Sequence, residues 1–262
     1  MKLKVLLIVP FLLAGCSLLP QATDETKGWS AQQLYLAGKE ELNERNFDQA
    51  IKHFENLQAR YPYGRYAQQS QLEVAYAYYK DDEPLSAIAA ADRFIKLHPN
   101  HPNVDYAYYL KGLVNFNEDL GILGYIAQQD LSERDPKAAR ESYDAFKELI
   151  ARFPQSKYAE DAALRMRYLV NALAAHEIHV AEYYFKRGAY LATVNRAKIV
   201  LEQYPNTTAT EDALGLMVRA YDALGMSELR DDAARVLQQN YPQSAYVTGK
   251  SKTAKGPWWK FW

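Results

Sequence analysis

His176-Glu177-Ile178-His179 is the run in this sequence whose residue types come nearest to catalytic chemistry. Zinc peptidases use two histidines four residues apart on one helix, completed by a third ligand from elsewhere. Here the histidines are three apart, so the run is expected to be a solvated helix face and not a metal site. His98 and His101 flank "HPNH", where proline and asparagine set turn geometry and need no other explanation. The acidic pairs Asp81-Asp82 and Asp231-Asp232 are expected at helix starts, where the helix dipole favours negative charge without any general acid or base. No nucleophile elbow or phosphate loop occurs, so an enzyme is not expected, and neither is a metal or a dissociable cofactor.

The single cysteine, Cys16, excludes an internal disulfide and any paired-cysteine zinc or redox site. Its surroundings supply another chemistry. Lys2 and Lys4 precede the apolar run "VLLIVPFLLA", then Ala14 and Gly15 lead into Cys16, which is the layout of an export signal over residues 1–15. A run of ten cannot cross a bilayer, which takes about 20 helical residues. Leu13-Ala14-Gly15-Cys16 resembles a bacterial lipobox, which implies cleavage before Cys16, an S-diacylglycerol on its thiol and an N-acyl group on the new amine. Two or more acyl chains are what stable anchoring requires, at about 0.8 kcal/mol per buried CH₂. Cleavage removes Lys2 and Lys4 and takes the net charge from −1 to −3. The same resemblance implies that Ser17, in place of an aspartate, sends the product to the outer membrane of a Gram-negative cell, facing the periplasm. Residues 16–28 then form a short polar tether.

Nucleic acid is a poor partner for this chain: the net charge is −1, the pI about 6.5, and no summed positive field exists to hold phosphates. Hydrophobic content of 48% with 24% charged residues is ordinary for a folded chain, whereas 21 tyrosines are many.

Repeats decide the fold. A proline follows an aromatic residue or histidine at Pro62, Pro99, Pro154, Pro205 and Pro242, with intervals of 37, 55, 51 and 37, and once more at Pro102, in the same turn as Pro99. A period near 34 ending in proline predicts tetratricopeptide-like helix pairs. Counting back from Pro62 places Leu34, Gly38, Ala50 and Phe54 at the motif's landmark positions, and Phe47, Ala50, Ile51, Phe54 and Leu57 form one apolar helical stripe. The fold predicted is all-α: a right-handed solenoid of about five helix pairs. Repeats one and two occupy 29–104, repeat three 105–156, repeats four and five 157–246, and a basic, aromatic tail 247–262. Repeat three carries 18 extra residues, assigned to a projecting loop at about 119–135; in repeat four, Lys157 to Arg187 lacks any breaker and reads as one extended helix. First helices line the concave side of such a solenoid, which places Tyr35, Lys39, Asn43, Tyr76, Tyr79 and Lys80 in a groove suited to an extended peptide. Tyrosines at helical spacing equally suit packing between helices.

"RYPYGRYAQQSQLEVAYAYYK" (60–80), "HPNVDYAYYLKGL" (101–113) and "AEYYFKRGAYLATVNR" (181–196) resemble the BamD family of outer-membrane assembly lipoproteins, over most of the chain from Cys16 to about Tyr246. The resemblance implies a non-enzymatic scaffold of the β-barrel assembly (Bam) complex. It implies that the N-terminal repeats receive the C-terminal segment of unfolded β-barrel proteins, that the C-terminal repeats grip the periplasmic POTRA region of BamA, and that BamC and BamE dock as well. Carried over to this chain, Tyr184, Arg187, Asn195 and Arg196 form the BamA-facing group. Arginine suits that role through its planar, permanently charged fork. Arg196→Glu is then expected to weaken capture of BamA while leaving the repeats folded; the competing reading of Arg196 is an ordinary surface arginine. A pilotin-like lipoprotein that guides secretin or pilus assembly, or a cell-wall-associated structural or competence lipoprotein, would share lipobox and repeats.

The tail lies outside the resemblance. Four lysines precede or interrupt Trp258, Trp259, Phe261 and Trp262. Three readings stand: docking on the solenoid or a partner, even as a mimic of an aromatic-ended substrate in the groove; anchoring at the membrane interface; or a passive extension.

Overall fold

The computed structural model describes residues 26–117 and 136–249. The signal segment, Cys16, Ser17, the inserted loop and the tail aromatics Trp258, Trp259, Phe261 and Trp262 lie outside the described residues. Among the described residues ten helices form five antiparallel pairs: α1 (Ala31–Asn43) with α2 (Phe47–Arg60), α3 (Arg65–Lys80) with α4 (Pro84–Leu97), α5 (Val104–Asn117) with α6 (Lys137–Arg152), α7 (Ala159–Lys186) with α8 (Tyr190–Gln203), and α9 (Thr210–Ala223) with α10 (Ser227–Asn240). A single turn, α11 (Ala245–Thr248), comes after them. Each helix packs on the next in the chain, and α1 on α3, α3 on α5 and α7 on α9 join first helices of successive pairs. This is an α-solenoid, and no strand occurs among the described residues.

Local chemistry sets the boundaries. Ser30 and Gln33 make a capping box at the start of α1: the Gln33 N–H donates to Ser30 Oγ at 3.3 Å and the Ser30 N–H donates to Gln33 Oε1 at 2.8 Å. Every second helix ends one residue before the X-Pro step. The residue before a proline is kept out of the helical region, and Tyr61, His98, Phe153, Tyr204 and Tyr241 all adopt φ between −129° and −133° while still donating to the carbonyl four residues back. Inside the pairs the turn needs a left-handed residue, supplied by Arg45, Asp82, Gly188 and Gly225. Asp81 and Asp82 therefore occupy the C-terminal cap of α3 and its turn, not a helix start. Asp231 and Asp232 fall in the second turn of α10, where Arg230 and Arg235 pair with them at 2.8 and 2.6 Å. Both departures from expectation have one cause: Glu83 and Met226, not the aspartates, precede the two helices.

Close approach of paired helices rests on glycine meeting an aromatic ring. A methyl group built on Gly38 would sit 2.6 Å from the Phe54 ring, and one on Gly112 would sit 2.3 Å from that of Phe146. Phe54 and Phe146 are fully buried. The partners are 16 and 34 residues apart in sequence, so the 18 extra residues of pair three enter between α5 and α6 without changing the packing.

α7 has 28 residues, twice the length of α8, or about 42 Å at 1.5 Å per residue. It is flanked by α6 on one side and α8 on the other. A cavity of about 720 Å³ opens between those two second helices.

Candidate functional site

Two features could hold a partner. The first is a concave groove of about 470 Å³ lined by Lys39, Leu42 and Asn43 of α1, Gln69, Leu72, Glu73 and Tyr76 of α3, Asn103 and Tyr106 at α5, and Lys157 and Tyr158 before α7. Glu73 is its internal brace: the Tyr35 hydroxyl donates to one carboxylate oxygen at 3.0 Å and Lys39 Nζ lies 3.0 Å from the other. Burial, followed by the charge of Glu73, raises the Tyr35 phenol above its ordinary value, so it remains a donor. Burial does the same for Tyr106. Lys157 sits over the Tyr158 ring at 4.9 Å, and Tyr158 stacks on Tyr109 with ring centres 4.6 Å apart.

Of the six groove residues expected from sequence, Lys39, Asn43 and Tyr76 line this groove. Tyr35 lies beneath them on Glu73, Tyr79 packs on Tyr76 with ring centres 6.4 Å apart, and Lys80 is at the exposed end of α3 over Tyr79. Tyr106, Tyr158 and Lys157 were missed. A sequence signal for Tyr158 exists: it stands four residues after Pro154, as Tyr66 stands four after Pro62, and each packs on the preceding first helix, against Tyr109 and Tyr35.

Beside the groove, the Tyr109 hydroxyl and Arg165 Nε both donate to Asp161 Oδ2 at 2.6 Å, tying α5 to α7. Burial pushes the Asp161 carboxyl up, but the hydrogen bonds from Arg165 and Tyr109 and the guanidinium charge outweigh it and hold the group below its ordinary value. A carboxyl lowered on folding stabilises the protein fully above its unfolded-state pKa of about 3.9, and that stabilisation is lost as pH falls through the folded value. Acidification below about pH 4 should therefore lower the melting temperature of the parent protein more than that of Asp161→Asn, as followed by circular dichroism.

The second feature is the cavity between α6 and α8, walled by Tyr143, Val170, Leu173, Ile199 and Tyr204. Glu177 lies at its base, 2% exposed. Arg196 NH1 donates to Glu177 Oε2 at 2.9 Å, and Arg140 NH2 stands 3.6 Å from the other oxygen. Hydrogen bonding to Glu177, with a smaller contribution from Tyr184, raises the Arg196 guanidinium above its ordinary value against the cost of burial. Helices α6, α7 and α8 thus share one buried carboxylate with two arginines.

This corrects the expectation for the HEIH run. Glu177 and Ile178 are buried, because α6 and α8 cover α7 from both sides, and the run is not a solvated face. Among the described residues no group of three His, Cys, Asp or Glu side chains could hold a metal ion. Arg196 is neither an ordinary surface arginine nor a free one, and Tyr184 adjoins it. Asn195 and Arg187 are exposed; Arg187 caps the end of α7 and covers the Tyr183 ring at 5.1 Å.

Residues 28–237 match the YfiO family model, described as "Outer membrane lipoprotein". A curated protein of Neisseria meningitidis serogroup A, described as outer membrane protein assembly factor BamD, is 49% identical over 264 residues, covering 99% of each chain. Proteins of the same description from Xylella fastidiosa and Vibrio cholerae are 38% and 34% identical, over 95% and 87% of this chain and 84% and 94% of theirs. Among solved structures, MamA gives a TM-score of 0.38 at 18% identity, covering 87% of this chain and 98% of that one. With 49% identity over nearly the full length of a curated member and a family match running from before α1 into α10, the chain belongs to the BamD (YfiO) family.

Proposed function

We propose that this protein is a non-enzymatic scaffold for assembly of β-barrel proteins in the outer membrane; its relatives are described as outer membrane protein assembly factors. In this reading the chain is tethered through lipid on Cys16 at the periplasmic face. The concave groove takes the C-terminal segments of unfolded barrel proteins, and pairs four and five hold the POTRA region of BamA through Arg187, Asn195 and Arg196, with Tyr184 supporting Arg196. BamC and BamE complete the assembly.

The observation that carries the reading is the make-up of the groove. Tyr76, Tyr106 and Tyr158 offer aromatic faces, Asn43 and Asn103 offer backbone-matching amides, and Lys157 offers positive charge, Lys39 being paired with Glu73. An extended, aromatic-ended peptide with a terminal carboxylate fits that set: its ring stacks on tyrosine, its main chain meets the amides and its carboxylate meets an ammonium. Aromatic anchors of this kind carry more than about 1 kcal/mol each on truncation. Tyr106→Ala combined with Lys157→Glu should weaken binding of a barrel C-terminal peptide by about tenfold or more in a fluorescence anisotropy titration. Binding unchanged by the double substitution, with the helical content intact, would refute the groove as the substrate site.

A further inference from the structure

Registering the five pairs on their prolines isolates two positions on each second helix, thirteen and six residues before the proline. They hold Gln49 and Asn56, Ser86 and Arg93, then Glu141 and Glu148 in pairs one to three, but Ala192 and Ile199, then Leu229 and Val236, in pairs four and five. Ile199 lines the cavity already described. Leu229 and Val236 are 46% and 41% exposed, and with Met226 and Ala233 they recur at i, i+3, i+7 and i+10 along one side of α10. Single exposed apolar residues are common, whereas an aligned stripe marks a contact. The positions on α10 that would face a further pair are polar or small, at Asp231, Ala234 and Gln238, as the last helix of a solenoid requires. The stripe is thus separate from the capped end.

The chain beyond α10 supplies an occupant for the stripe. "YPQSAY" at 241–246 repeats the "FPQSKY" at 153–158 that leads into α7, so the chain enters a sixth pair and stops after one turn at Gly249, whose φ is +67°. That turn, α11, is fastened in place: the Tyr246 ring fills the notch at Gly215 on α9, where an added methyl group would stand 2.4 Å away. Thirteen further residues, 250–262, leave from this point with Lys250, Lys252, Lys255, Lys260, Trp258, Trp259, Phe261 and Trp262. At about 3.3 Å per residue they reach some 43 Å, twice the roughly 21 Å length of α10. Charge favours the same destination, since Asp222, Glu228 and Asp232 outnumber Arg230 and Arg235 around the stripe.

We infer that residues 250–262 fold back onto α10, seating their aromatic side chains along Met226, Leu229 and Val236 and their lysines among the acidic residues beside the stripe. The tail thereby covers apolar surface of the last pair.

Disulfide trapping in isolated outer membranes tests this, with the full chain and a mild copper oxidant. Gln239→Cys paired with Gly256→Cys should close an intramolecular disulfide, seen as a faster band on a non-reducing gel, at a yield well above that of Asn43→Cys paired with Gly256→Cys. Adding Leu229→Gln and Val236→Gln should lower the first yield about fivefold, the loss expected from about 1 kcal/mol of docking. Leu229 and Val236 are exposed, so glutamine there leaves the helices intact, which circular dichroism of the same protein verifies. Equal yields at positions 239 and 43, or a yield insensitive to the glutamines, overturn the inference. So does a disulfide between two chains, which would make a second copy the occupant, or no disulfide at all. BamA capture and peptide binding are read separately, so loss of the tail contact leaves the proposed function standing.

Discussion

Arg196→Glu should lower the melting temperature by roughly 6–12 °C, because it sets a second carboxylate against one that has almost no access to water. Removing one partner of a buried ion pair costs about 3–5 kcal/mol. Arg196 itself is 38% exposed at its side chain, so the low end, about 3 kcal/mol, applies. At about 2–4 °C per kcal/mol for a chain of this size, that gives the stated range. Arg140, 3.6 Å from Glu177, is too distant for a hydrogen bond and compensates only in part. This alters the sequence-based expectation that the substitution leaves the repeats untouched: any lost capture of BamA by Arg196→Glu mixes partner contact with local unfolding. The reversed pair separates them. Arg196→Glu with Glu177→Lys should recover more than half of the lost stability in thermal denaturation. If it recovers BamA capture too, Arg196 acts through the fold; if capture stays lost, Arg196 touches the partner.

Gly112→Ala is expected to destabilise by about 2 kcal/mol even though alanine is the better helix former by about 1 kcal/mol. The added methyl group would stand 2.3 Å from Phe146, a ring fully enclosed in the core shared by α3 to α7 and unable to retreat. Overpacking of this sort costs about 1–3 kcal/mol. Phe146→Leu in the Gly112→Ala background removes the clashing edge and should return part of the loss, although it lowers stability by itself. Urea denaturation of the four proteins gives the coupling directly. A Gly112→Ala variant as stable as the parent would mean that α5 and α6 are free to separate, contrary to their close packing.

The sequence by itself determined the ladder. An aromatic residue or histidine before proline stops each second helix through a clash that is local to two residues, and small residues at fixed offsets mark where helices touch. These are short-range effects, legible from Tyr61-Pro62 or Gly38 without coordinates. The landmarks Leu34, Ala50 and Phe54 are fully buried for the same reason. Tertiary structure decided which faces acquire neighbours. Helical spacing assigns Glu177 to a side of α7 but says nothing of α6 and α8 closing over it, so a run that reads as solvated is a buried carboxylate between two arginines. Lys157 and Tyr158 belong by sequence to pair four, yet the superhelix carries them into a groove built by pairs one to three. Periodicity fixes an angle around a helix axis, whereas burial depends on what stands at that angle, and that neighbour is set by contacts tens of residues away.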